Sequence, residues 1–195
     1  MAIKGYKEVD FYKEMVKKLE AINLIFFEIH INENAYYSIA WNDNIPQPLP
    51  NYLNYLCHLH TKVTTIETNK LINHKENFSI YNLFTFIHQN DLDRVFDLNK
   101  LNHFKSELKE CKKIINDITK LRTKRYAHLD HDYKEVGNFF AQREFRELFK
   151  TIKDIVDYLN TSFNLAPHLR YNSFKGYLFA DYYDTVFKKL DLNLI

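Results

Sequence analysis

The sequence predicts an all-α protein, an antiparallel bundle of four to five long helices with short accessory helices. Three Gly and four Pro are too few for the many turns of an all-β chain of 195 residues. Apolar residues recur at intervals of three and four along several long stretches. We expect a single domain over residues 1–195, with its core at about 10–160 and a C-terminal helical extension at about 161–195.

Composition limits the classes of function. The net charge of +2 does not steer the whole protein toward nucleic acid, so any such affinity must come from a local patch. Cys57 and Cys111 form no disulfide framework and no metal-binding pattern. No apolar signal segment opens the chain, and the most apolar run, residues 21–31, is too short to span a membrane. We expect a cytoplasmic protein.

The first two helices are predicted from their apolar spacing. The first begins near Phe11 with Asp10 as its N-cap, is apolar on nearly all sides, and can continue to Trp41. Such a helix is expected in the middle of a bundle or in a dimer interface. A proline-rich loop at 42–50 separates it from a second helix at about 49–72. The residues predicted to face inward in that second helix are Leu53, Leu56, Leu59 or His60, Val63, Ile66 and Leu71.

The shorter helices and the later helices are predicted in the same way, from capping residues and apolar spacing. A polar turn at 73–77 ends the second helix, and Ser79 can cap a short helix that runs through Ile87. A helix is predicted from about 138 to 160, then a loop around Pro167, then a last helix at about 174–190. In the helix at 138–160, the residues predicted to face inward are Phe145, Leu148, Phe149, Ile152, Ile155 and Leu159. In the helix at 174–190, they are Tyr177, Leu178, Tyr182, Val186 and Phe187.

The third long helix leads to the candidate site. Its apolar seam consists of Leu101, Phe104, Leu108, Cys111, Ile115 and Ile118. The next position on that seam is Arg122. A charge where the pattern requires an apolar side chain needs a partner or a ligand, and such conflicts are concentrated at functional sites.

Arg122 and His128 suit RNA cleavage without a metal. Histidine can exchange the proton of a 2′-hydroxyl or of a leaving oxygen, and arginine can bind the scissile phosphate. The spacing alone is weak evidence, because six arginines and nine histidines give about one such pair by chance. On an ideal helix these two residues also point about 120° apart. The alternative is a basic turn at a helix C-terminus, where the helix dipole favours cations.

The segment Leu121-Arg122-Thr123-Lys124-Arg125-Tyr126-Ala127-His128-Leu129-Asp130 resembles the signature of HEPN domains, the helical ribonucleases of prokaryotic defence and toxin systems. Its Ala-His-Leu-Asp ending is similar to the abortive-infection branch. The resemblance implies a homodimer with one composite cleft, metal-independent endoribonuclease activity on RNA, no cofactor, and a possible antitoxin protein as partner. It assigns phosphate binding to Arg122 and acid/base chemistry to His128.

Neighbouring residues extend this hypothesis. Lys120, Lys124 and Arg125 are candidates for phosphate contacts, although a solvated helix end explains them equally well. Supporting roles are assigned to Thr123, Tyr126, Asp130 and His131, with core packing or a solvated turn as the alternatives for the last three. Many members of the superfamily have Asn, Asp or His where this chain has Thr123, a departure that bears on catalysis more than on the fold.

Two rival functions remain open at this stage. The first is a non-catalytic helical dimer that binds a nucleotide, RNA or a partner protein, with Arg122 as an ion-paired interface residue. The second is a regulatory subunit whose function lies in its partner. The spatial neighbours of residues 122–128 are needed to distinguish these two functions from that of a nuclease.

Overall fold

The structure is a computed structural model that describes residues 3–41, 45, 48–90, 95–126 and 143–173, with side chains for all of these except 3–9 and 124–126. Every regular element in these ranges is helical, which confirms the predicted all-α class. The elements are α1 (Ile3–Ala40), α2 (Asn51–Ile72), α3 (Ile80–Gln89), α4 (Leu98–Glu110), α5 (Lys112–Lys120), a π-helical turn (Leu121–Tyr126), α6 (Arg143–Ser162) and two 3-10 turns (Pro167–Leu169 and Tyr171–Ser173).

Helix α1 is the central element of the bundle. It packs against α2 and α6 and buries apolar side chains from Met15 to Ile39. These are Met15, Leu19, Ile22, Phe26, Ile29, Ile31, Ala35, Tyr36 and Ile39. Helix α1 therefore lies in the middle of the bundle, which is one of the two places expected for so apolar a helix. The prediction that Asp10 caps this helix is wrong, because α1 begins at Ile3 and no proline before Asp10 interrupts it.

Helix α2 has nearly the predicted bounds but a different inner face. Leu53 and Leu71 are buried as predicted, whereas Leu59, Val63 and Ile66 are only half-buried. The other buried residues are Cys57, Thr61, Thr64, Thr65, Thr68, Asn69 and Ile72. Threonine can face the core because its hydroxyl can bond to the carbonyl one turn back and its methyl group then packs.

The third long helix is interrupted at Cys111. Its first part, α4, is capped by Asp97, whose carboxylate accepts hydrogen bonds from the backbone N–H groups of Asn99 and Lys100. At Cys111 the backbone leaves the helical region, with φ −77° and ψ 7°, and α5 starts one residue later. The buried positions after the break are Ile114 and Ile118. The predicted seam is therefore correct at Leu101, Phe104, Leu108 and Ile118. After Cys111, Ile114 is buried in place of the predicted Ile115, which is only half-buried.

The remaining elements largely follow the predictions. Ser79 caps α3 by accepting a hydrogen bond from the backbone N–H of Asn82. The predicted stripe of α6 is buried except for half-buried Phe149, and the loop around Pro167 forms the two 3-10 turns. Residues 138–142, predicted to begin this helix, and the predicted helix at 174–190 lie outside the described residues. In the part of the chain that is described, no helix has the length and apolarity needed to cross a membrane.

Candidate functional site

Arg122 lies at the edge of the core, not on its apolar seam. Because the seam shifts at Cys111, the position that follows Ile118 inward is Leu121, which packs against the core. The Arg122 side chain is 39% exposed, and its Nη2 lies 3.2 Å from Oε1 of Glu76, whose side chain is 35% exposed. The prediction that Arg122 occupies a buried rung is therefore wrong. Arg122 nevertheless has an acidic neighbour in Glu76, although neither side chain is buried.

A π-helical turn carries Arg122. It spans Leu121–Tyr126 and follows α5 directly. The hydroxyl of Thr123 donates to the carbonyl oxygen of Thr119 at 2.8 Å, a bond that ties this wider turn to the last turn of α5. Turns of this kind are often found at functional sites. The angle of about 120° between Arg122 and His128 assumed an ideal α-helix, so it no longer applies.

A buried asparagine joins the end of α2 to the end of α5. The side-chain amide of Asn69 donates to the Thr119 hydroxyl at 3.1 Å, and that hydroxyl donates to the carbonyl oxygen of Ile115 at 2.9 Å. Asn69 is fully buried whereas Thr119 is exposed, so this contact is partly shielded from water. It fixes the helix end that leads into Arg122 against the helix end that leads into Glu76.

Glu76 lies in a turn that hydrogen bonds hold in shape. The side-chain amide of Asn82 donates to the carbonyl oxygens of Glu76, at 2.7 Å, and His74, at 3.1 Å. The Glu76 N–H donates to the carbonyl oxygen of Asn73 at 3.0 Å, and the Ser79 N–H donates to that of Glu76 at 3.1 Å. Because the backbone of Glu76 is held on both sides, the position of its carboxylate is restricted.

Sequence reasoning missed Glu76, Asn82 and Asn69. The polar turn at 73–77 was interpreted only as the end of a helix, which it also is. The one local signal for its other role is a run of Asn, His, Lys and Glu between two apolar helices. Nothing in the linear spacing brings Glu76 to Arg122, which lies 46 positions later in the chain.

Of the other predicted site residues, Lys120 and Thr123 are exposed near Arg122. The Nζ of Lys120 lies 4.0 Å from a carboxylate oxygen of Asp117. The backbones of Lys124, Arg125 and Tyr126 belong to the π-helical turn, and His128, Asp130 and His131 lie outside the described residues.

Two of the titratable groups perturbed by burial, Glu33 and His30, lie in α1. Burial raises the pKa of Glu33 to about 7. Burial, and then the charge of Lys153, lower the pKa of His30, whose ring stacks on Phe149 with centroids 6.2 Å apart. Among the described residues, no cluster of three or more His, Cys, Asp or Glu side chains could hold a metal ion.

Comparison with known protein families identifies a relationship for this chain. A family model described as HEPN_AbiU2: AbiU2 matches residues 56–184. This range covers about two thirds of the chain and includes both Arg122 and His128. No curated protein and no solved structure matches the chain significantly.

Proposed function

The chain belongs to the AbiU2 family of HEPN domains, and from that membership we propose that it is a metal-independent endoribonuclease acting as a toxin or abortive-infection effector. The observation that carries the proposal is that the family match spans the whole Arg122–His128 segment. It is supported by the partly exposed position of Arg122 on a π-helical turn, where a phosphate can approach the guanidinium.

The chemistry needs a phosphate ligand and a proton carrier. The 2′-oxygen of the RNA attacks the adjacent phosphorus, the bond to the 5′-oxygen breaks, and a 2′,3′-cyclic phosphate and a 5′-hydroxyl are formed. His128 takes the proton of the attacking hydroxyl or supplies one to the leaving oxygen. Arg122 binds the non-bridging oxygens and offsets the charge that develops on them.

A homodimer would bring two such segments into one cleft. Helix α2 carries Tyr52, Leu56, Leu59, Val63 and Ile66, here called the α2 stripe, at intervals of four and three residues. At about 100° per residue, most of this stripe lies on the opposite side of α2 from its buried face, and Leu56 at its edge also packs against the core. Tyr52 is 53% exposed and the other four residues are half-buried. An apolar stripe of this spacing suits packing against the same helix of a second copy.

The stripe leads toward the candidate site. It ends at Ile66, three residues before Asn69, whose side chain contacts the helix that carries Arg122. A two-fold contact near Ile66 would therefore place the two copies of Arg122 close to the same symmetry axis. Lys120, Lys124 and Arg125 would add phosphate contacts along the cleft, with Thr123, Tyr126, Asp130 and His131 in supporting roles.

A second function is favoured by one contact. Arg122 is paired with Glu76, as expected if it were an ion-paired interface residue in a non-catalytic dimer that binds a nucleotide, RNA or an antitoxin protein. In that case the protein would bind its partner without cleaving RNA. The chemistry at His128 separates the two functions.

The deciding experiment is RNA cleavage in EDTA by purified wild-type protein and by His128→Ala. We expect the wild type to cleave a structured RNA and the variant to lose cleavage. His103→Ala is the matched control, because His103 is exposed on α4 and pairs only weakly with Glu107 at 3.6 Å. Undiminished cleavage by His128→Ala would remove His128 from the mechanism. Cleavage that depends on added Mg²⁺ would contradict the metal-independent reaction.

A further inference from the structure

The closest approach between Arg122 and Glu76 is between one guanidinium nitrogen and one carboxylate oxygen. It joins Nη2 to Oε1 at 3.2 Å. A guanidinium has five N–H donors in a plane and presents two edges that can each bind an oxyanion through two hydrogen bonds. A carboxylate bound at Nη2 takes part of one edge and leaves the other edge for a second anion.

We infer that Glu76 is a positioning residue that holds the guanidinium of Arg122 in the orientation that receives an RNA phosphate. The inference rests on the proposed function, since it names the partner through which Arg122 does its work. Without this contact, Arg122 would have to lose its rotamer freedom at the moment the phosphate binds. With the Glu76 contact in place, part of this loss of rotamer freedom has already occurred before the phosphate binds.

The turn around Glu76 is built to place one carboxylate. The side-chain amide of Asn82 donates hydrogen bonds to two carbonyl oxygens of this turn, those of Glu76 and His74. The Asn69–Thr119 contact sets the distance between this end of α2 and the helix that precedes Arg122. Both partners of the ion pair are therefore attached to a shared, hydrogen-bonded frame.

The ion pair itself adds little to the stability of the fold. Both side chains are more than a third exposed, and pairs of that kind contribute little to the free energy of unfolding. The frame is held instead by the buried amide of Asn69 and by the backbone of the turn. A substitution at Glu76 is therefore expected to change phosphate binding and leave unfolding unaffected.

The alternative is that Glu76 competes with the phosphate for the guanidinium of Arg122. The two roles predict opposite effects on RNA affinity. Glu76→Asp distinguishes them, because it keeps the charge and withdraws the carboxylate by one methylene group. Glu76→Gln keeps an acceptor oxygen at the original reach and removes the charge. Glu147→Asp is the matched control, because it shortens an exposed acidic side chain that is also paired with an arginine, Arg143, on α6.

The test measures the binding of a 2′-O-methylated RNA, which lacks the attacking hydroxyl, together with cleavage of unmodified RNA. We expect Glu76→Asp to bind about fivefold more weakly and cleave correspondingly more slowly, with Glu76→Gln within about twofold of wild type. Glu147→Asp should match wild type, and the urea midpoints of all these proteins should agree.

Each other result decides the question. Tighter binding by both Glu76 variants would make Glu76 a competitor and overturn the inference, as would unchanged binding by Glu76→Asp. If the wild type binds the RNA without cleaving it and Glu76→Asp still weakens binding, the positioning role stands and the ribonuclease proposal fails. If the wild type binds no RNA, both fail.

Discussion

Asn23 and Asn160 exchange two hydrogen bonds, each 2.8 Å long, between α1 and α6. Both residues are almost completely buried. Asn23 also donates to the carbonyl oxygen of Leu19 at 2.8 Å and accepts from the Tyr171 N–H at 2.9 Å. Asn23 lies outside the range matched by the family model and Asn160 lies inside it. This pair therefore joins the central helix to the family-specific part of the bundle.

Replacing either member of this pair should be costly. Asn23→Ala leaves a buried amide and a buried backbone N–H without partners, and we expect it to lower the free energy of unfolding by about 2–4 kcal/mol. Urea denaturation at neutral pH measures the change. The double variant Asn23→Leu/Asn160→Leu should cost less than the sum of the two single leucine variants, because it leaves neither amide unpaired. Asn54→Ala is the control, because Asn54 is exposed. If the losses of unfolding free energy in the two single leucine variants add up to the loss in the double variant, this account is contradicted.

Glu33 should make stability depend on pH. Burial raises its pKa from 4.5 to about 7, so the folded protein holds a proton there that the unfolded chain releases. For such a group the stabilisation is fully present below pH 4.5 and is lost as the pH rises to about 7. Glu33→Gln, which cannot ionise, should therefore be more stable than wild type at pH 8, by about 2–3 kcal/mol.

The measurement is urea unfolding at pH 4.5 and pH 8. The advantage of Glu33→Gln should nearly vanish at the lower pH, where wild-type Glu33 is protonated. Glu20→Gln serves as the control, since Glu20 is exposed on the same helix. An advantage of equal size at both pH values would mean that the substitution acts through packing instead of ionisation.

Two neighbouring threonines in α2 should respond differently to replacement by valine. The hydroxyl of Thr65 donates to the carbonyl oxygen of Thr61 at 2.8 Å, whereas the buried hydroxyl of Thr64 has no partner among the described residues. Valine has nearly the same shape and no hydroxyl. Thr64→Val should therefore be more stable than Thr65→Val by about 1 kcal/mol, a difference that thermal and urea unfolding can resolve. Equal stability would indicate that Thr64 has a partner after all.

These threonines also show where sequence reasoning stopped. The spacing of apolar residues predicted the helix at α2, and its bounds differ from Asn51–Ile72 by only two residues at the start. The spacing could not tell that Thr61 and Thr65 would satisfy their own hydroxyls and turn inward. When polar residues can bond to their own helix, the most apolar face is no longer the only face that can be buried.

The candidate site shows the same limit at longer range. The sequence indicated that the charge of Arg122 needs a partner, because a seam of apolar residues leads to it. It could not identify Glu76, since this contact depends on how the end of α5 meets the turn after α2. The break at Cys111 was also hidden, because the apolar spacing on its two sides is nearly continuous. Local patterns thus predicted the helices, and tertiary contacts decided which side chains meet.

The α2 stripe provides the test of dimerisation. Val63 lies at its centre and is half-buried. Val63→Glu would place two carboxylates at a two-fold contact, where burial and mutual repulsion both oppose association. We expect light scattering at micromolar concentration to show a dimer for the wild type and a monomer for the variant, with loss of RNA cleavage and unchanged helical circular dichroism.

The same substitution at Val95 is the control for this experiment. Val95 is 39% exposed in the turn before α4, away from the stripe, so Val95→Glu should remain dimeric and active. A dimer that survives Val63→Glu would move the interface elsewhere, and the predicted helix at 174–190 would then be the next candidate to cover the stripe. A wild type that is monomeric at every concentration, yet cleaves RNA, would show that one copy of Arg122 and His128 is enough. In that case the composite cleft would have to be abandoned while the ribonuclease proposal stood.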